Sequence, residues 1–93
     1  MKGNMLKIKD EVDLKELEKF GFKPKYDENT GELDRYIKVF KHENNIFLIR
    51  IYLQSKHIEV DYSTWCDFDI GLIQDLISVI YDLITAGLVE KVE

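Results

Sequence analysis

The sequence predicts an α+β domain: an antiparallel β-meander of three to four strands, with a short N-terminal helix and a long apolar C-terminal helix packed on it. Three observations carry this expectation. Two segments begin at an aspartate and stop at a glycine, as capped helices do. Between them lie alternating apolar and polar runs separated by short links. The 93 residues are 45% hydrophobic and 33% charged, which suits one modest core and therefore a single domain over 1–93.

Leu6 and Ile8 alternate with Lys7 and Lys9, as in a short strand or an ordered lead-in. Asp13 is placed to cap a helix, Glu16 to complete a capping-box-like pair, and Val12 to staple against Leu17. Gly21 then offers the left-handed stop, with Phe22 folding back on Leu17, so the first helix has about two turns. Phe22, Pro24 and Tyr26 alternate with lysines ahead of the turn-forming run 27–31. Pro24 has no N–H to donate, which confines this strand to an edge.

Three clearer strands follow at 35–41, 46–53 and 57–62, with links short enough for antiparallel hairpins. Even-length links gather Tyr36, Phe40, Phe47, Ile49, Ile51, Leu53, Ile58, Val60 and Tyr62 on the expected core face. The reverse face collects Arg35, Ile37, Val39, Lys41, Leu48, Arg50, Tyr52, Glu59 and Asp61. There Arg50 is placed to pair with Asp61 across strands, and the apolar members, Leu48 and Tyr52 among them, make a candidate interface. The last helix is expected to start at a cap supplied by Asp67 or Asp69 and to end at Ala86, with Gly87 as terminator and Leu88 folding back on Leu83.

At about 100° per residue, Gly71, Gln74, Asp75, Ser78, Asp82 and Thr85 share one stripe of that helix and the remaining circumference is apolar. The sheet is expected to cover Ile73, Leu76, Ile80, Leu83 and Ile84. The flanks, Leu72 with Val79 and Ile77 with Tyr81, then require other neighbours. The first helix is the expected cover for one flank, and a second copy of the chain or a protein partner for the other.

The net charge of −5 is unevenly spread: residues 1–56 carry 12 basic and 10 acidic side chains (+2), and residues 57–93 carry 1 and 8 (−7). Phosphate recognition rests on Lys and Arg, so this acidic third argues against direct nucleic-acid binding. The opening Met1 to Lys7 has no apolar stretch of signal-peptide length. Asp75 and Asp82 interrupt the longest apolar region, which argues against membrane insertion. A lone Cys66 excludes an intramolecular disulfide and any multi-cysteine metal site. These features together predict a cytoplasmic chain without a cofactor.

No set of residues demands a particular chemistry. His57, Glu59 and Asp61 alternate along one strand, but neighbours two apart are roughly 6.5 Å apart at Cα, so a metal would need ligands from elsewhere. Neither histidine lies near Cys66 in sequence, and the glycines are isolated, which gives no nucleophilic or phosphate-cradling motif. The catalytic, cofactor and metal sets are therefore expected to be empty. The segment 63–69 sets Trp65 and Phe68 among Asp67 and Asp69. Trp65 either anchors a partner, with the acids steering a basic surface, or plugs the end of the core while an aspartate caps the helix.

The run 83–92, Leu-Ile-Thr-Ala-Gly-Leu-Val-Glu-Lys-Val, resembles the end of a winged-helix recognition helix entering its wing. Its solvent stripe has no lysine or arginine, which argues against a seat in a DNA groove. The runs 12–22 and 81–92 together resemble small uncharacterised proteins of phages and prophages of low-GC Gram-positive bacteria, a likeness over about a quarter of the chain. It implies a setting and no activity.

The functional expectation is a non-enzymatic accessory protein that binds another protein or forms a homodimer, with Leu48, Tyr52, Trp65, Asp67, Asp69, Ile77 and Tyr81 as partner-binding residues. The alternative is an acidic inhibitor of the anti-defence or immunity type. It would turn Glu59, Asp61, Asp67, Asp69, Asp75 and Asp82 on a basic or nucleic-acid-binding protein target.

Overall fold

A computed structural model describes residues 5–42, 45–63 and 70–92. In chain order the elements are β1 (Met5–Ile8), a 3-10 helix (Leu14–Phe20), β2 (Lys23–Tyr26), β3 (Leu33–His42), β4 (Asn45–Tyr52), β5 (Ile58–Ser63), α1 (Ile70–Thr85) and β6 (Val89–Val92). The architecture is α+β. A four-stranded antiparallel meander runs β2-β3-β4-β5, and β1 and β6 form a separate two-stranded sheet.

The meander follows the expected parity. Tyr36 opposes Ile51 and Phe40 opposes Phe47, while on the other face Ile37 opposes Arg50 and Leu48 opposes Asp61. Tyr36, Phe47, Ile49 and Ile51 are buried, and with Ile8, Leu14, Leu17, Phe22, Val79 and Leu83 they make up the buried apolar core. Val60 departs from this pattern. It lies on the core face by register, opposite Ile49, yet stays 42% exposed because α1 seats over β3 and β4 and falls short of the β5 edge. The side chain of Tyr62, also assigned to the core, lies outside the described residues.

The first helix is 3-10 rather than α. Its apolar residues recur every third position, at Leu14, Leu17 and Phe20, which matches three residues per turn and stacks all three on one side. Leu14 and Leu17 are buried and Phe20 packs against the core. The Asp13 carboxylate caps the start by accepting from the Lys15 N–H at 2.9 Å. Gly21, at φ 88°, closes the end, with Phe22 N–H donating to Leu17 O and Gly21 N–H to Glu18 O. Lys38 points to the core side, opposite Ile49, and its Nζ reaches the Phe20 carbonyl at 2.7 Å, beneath Gly21. That carbonyl belongs to the helix end, where a cation is favoured.

The helix expected to be long and apolar is a sixteen-residue segment, and no described helix is long and apolar enough to cross a membrane. The expected caps at Asp67 and Asp69 lie outside the described residues. At the other end Leu88 N–H donates to Leu83 O at 3.1 Å and Gly87 N–H to Ile84 O at 3.0 Å, with Gly87 at φ 77°. This doubly bonded stop reverses the chain into β6, a strand the sequence reading did not place. Lys9 N–H donates to Leu88 O, and β6 pairs with β1 from Ile8↔Val89 to Met5↔Val92. Four residues with two central charges carry little strand signal of their own, and pairing supplies what periodicity does not.

The helix is also rotated from its expected seat. Val79, assigned to a flank, is buried, whereas Ile84, assigned to the sheet, is 50% exposed. Val79 shares the core cluster with Leu14 and Leu17 of the first helix, which lies against α1. Leu72, placed on that same flank, has a side chain outside the described residues.

Leu83→Ala is expected to cost about 3 kcal/mol in urea unfolding, the range for emptying a closed apolar site, whereas Ile84→Ala one residue later costs under about 1 kcal/mol. Tyr36 gives a second test. Burial, and then the Glu18 carboxylate to which its hydroxyl donates at 3.3 Å, push the phenol above its ordinary 10.0. The group ionises more readily unfolded than folded, so its contribution is complete below about pH 10 and is lost as pH rises through the raised value. Alkaline unfolding of Tyr36→Phe is expected to show a shallower fall in stability above pH 10 than the natural chain.

Candidate functional site

The two faces of the meander differ in how their side chains are satisfied. On the reverse face, Arg35 lies over the Tyr52 ring at 5.6 Å and Arg50 lies 6.0 Å from the same ring. Arg50 Nη2 also reaches Asp61 across the diagonal and Glu59, its direct partner, at 3.7 Å. Arg35 Nη1 pairs with Asp34. The guanidiniums thus sit beside the Tyr52 ring and join β3, β4 and β5 through ring contacts and ion pairs, as their apolar stems and charged heads allow. The expected Arg50–Asp61 pair forms, and Glu59 joins it.

This arrangement bears on two expected features. Glu59 and Asp61 already face one cation, and among the described residues no group of three His, Cys, Asp or Glu is placed to hold a metal ion. Leu48 and Tyr52 are half-buried within a polar layer, with Val39 exposed beyond it, so the reverse face is not one apolar patch.

A continuous apolar surface of the described residues lies on the opposite side. Ile77 (60% exposed), Tyr81 (64%) and Ile84 (50%) line the outward edge of α1, and Val60 reaches the same place from β5. With Leu76 and Ile80 they form an open groove of about 330 Å³. The cause is local. A helix spaces Ile77, Tyr81 and Ile84 onto one edge at i, i+4 and i+7. A rotation that buries Val79 and Leu83 necessarily turns that edge outward.

Of the residues expected to bind a partner, Ile77 and Tyr81 stand together in this groove. Leu48 and Tyr52 lie on the far face of the sheet, so the two pairs do not join into one site. Trp65, Asp67 and Asp69 lie outside the described residues. Val60 and Ile84 were missed as site residues. The register and helix spacing that place them were legible, but how far α1 extends toward β5 was not.

No protein-family model, no curated protein and no solved structure matches the chain.

Replacing Arg50 with methionine keeps an apolar stem over the sheet but leaves Glu59 and Asp61 side by side. We expect a loss on the order of 1 kcal/mol in urea unfolding at low salt, smaller at high salt because the groups are partly exposed. Adding Glu59→Gln and Asp61→Asn should restore most of it, since the repulsion is then gone.

Proposed function

We propose that the chain is a non-enzymatic accessory protein of the cytoplasm that acts by binding another protein through the groove between α1 and β5. One observation carries the reading: Val60, Ile77, Tyr81 and Ile84 are large apolar side chains, exposed and contiguous. Such clusters concentrate where a partner removes them from water. Tyr81 suits an anchor, with a broad apolar ring and a hydroxyl that can stay wet.

The acidic-inhibitor reading gains a specific observation as well. The strand and the helix that line the groove also carry carboxylates on their other faces, Glu59 and Asp61 on the reverse face of β5 and Asp75 and Asp82 on the polar stripe of α1. They would steer a basic partner toward the apolar contact without supplying most of its affinity.

The test is capture of proteins by the tagged chain from lysate of the organism that carries it, at low and high salt, followed by mass spectrometry. A partner of the groove is expected to stay bound at high salt and to lose at least about tenfold in affinity in Ile77→Lys/Tyr81→Lys, with Val39→Lys on the far face as an unaffected control. Both groove positions are exposed, so unfolding free energy should shift by no more than about 0.5 kcal/mol per substitution. Retention of every partner by the double variant contradicts the proposal.

A further inference from the structure

β5 is the last strand of the meander, with β4 on one side. On its other side β1, which pairs with β6 along its whole length, meets the chain just ahead of β5 through the Lys7↔His57 bridge and the Ile8 N–H to Lys56 O bond. Among the described residues, Ile58–Ser63 therefore presents an edge without a strand paired along it. Such an edge is a template for another extended segment, because its outward N–H and C=O groups are already aligned.

The groove lies where that segment's side chains would point. Strands stack about 4.8 Å apart within a sheet, and successive side chains alternate between faces. On a strand added to β5, every second side chain would sit beside Val60, against Ile77, Tyr81 and Ile84. The residues between them would project beside Glu59 and Asp61. These two carboxylates share one guanidinium, that of Arg50, leaving a net negative charge along the edge.

Resting on the interaction reading above, we propose that β5 receives an extended partner segment in which basic residues alternate with apolar ones, adding it as a fifth strand of the meander. A second copy of β5 fits poorly. Symmetric antiparallel pairing with the faces aligned, centred on Glu59, Val60 or Asp61 so that much of the strand is paired, sets Glu59 against Asp61 or either against itself, and like charges directly opposed across strands are destabilising. A basic segment answers both carboxylates.

The experiment uses the full chain, labelled with 15N, and a blocked seven-residue peptide alternating valine and lysine, with a peptide alternating valine and glutamate as its pair. The inference expects the lysine peptide to slow hydrogen exchange at alternate amides of Ile58–Ser63. It also expects binding at least about tenfold weaker for the glutamate peptide, and for the lysine peptide on Glu59→Gln/Asp61→Asn. Absence of β5 protection at millimolar lysine peptide, or equal binding of the two peptides, overturns it. If the peptide shifts the Ile77 and Ile84 methyl signals but leaves β5 exchange unchanged, strand addition is wrong while the groove remains a protein-binding surface. Failure of that underlying reading shows separately, as capture that survives Ile77→Lys/Tyr81→Lys.

Discussion

One sixteen-residue helix and one seven-residue 3-10 helix must cover a four-stranded sheet, and that constraint sets the rest of the structure. Leu17 and Leu83 from the helices and Ile49 and Ile51 from the sheet belong to one core cluster, and these side chains are fully buried. The two helices lean on each other to close this contact, which draws α1 over β3 and β4. β5 is left at the margin. The exposure of Val60 and the outward turn of Ile77, Tyr81 and Ile84 follow from a single packing choice.

The other face of the sheet has no helix among the described elements, and charge takes the place of packing there. Arg35 and Arg50 spread across Tyr52 and tie to Asp34, Glu59 and Asp61, so apolar residues such as Ile37 and Leu48 are half-buried under stems and rings. Each exposed ion pair is worth little alone, and a network joining three strands is worth more than its separate pairs. Among the described residues, one face of the sheet is thus covered by charged side chains and the other borders an apolar groove, and the groove is the better place to seek a partner.

Much of this fold was legible because local signals agreed with one another. The Gly21 and Gly87 stops, the folding back of Phe22 and Leu88, the edge position of the Pro24 strand and the alternation through β3, β4 and β5 are all near-neighbour effects written within a few residues. The features that escaped depend on distant segments. The four residues of β6 become a strand by pairing with β1 at the opposite end of the sequence. The 3-10 geometry was hinted at by the threefold spacing of Leu14, Leu17 and Phe20, a period that a two-turn helix hardly distinguishes from 3.6. The azimuth of α1, which exchanged the expected places of Val79 and Ile84, depends on its packing against distant segments, the 3-10 helix, β3, β4 and β6, and has no local code. Ile77 and Tyr81 were legible as a flank needing cover, whereas the part played by Val60 required knowing where α1 stops.

The central claim is that the isolated chain holds Ile77 and Ile84 in water while Ile49 and Ile51 are sealed beneath the same helix. Solvent paramagnetic relaxation of isoleucine methyl groups, measured on the free protein with a soluble gadolinium chelate, tests this directly. The account predicts strong attenuation at Ile77 and Ile84 and almost none at Ile8, Ile49 and Ile51. Protection of Ile77 and Ile84 equal to that of Ile49 would contradict it, because the groove would then be part of a closed interior.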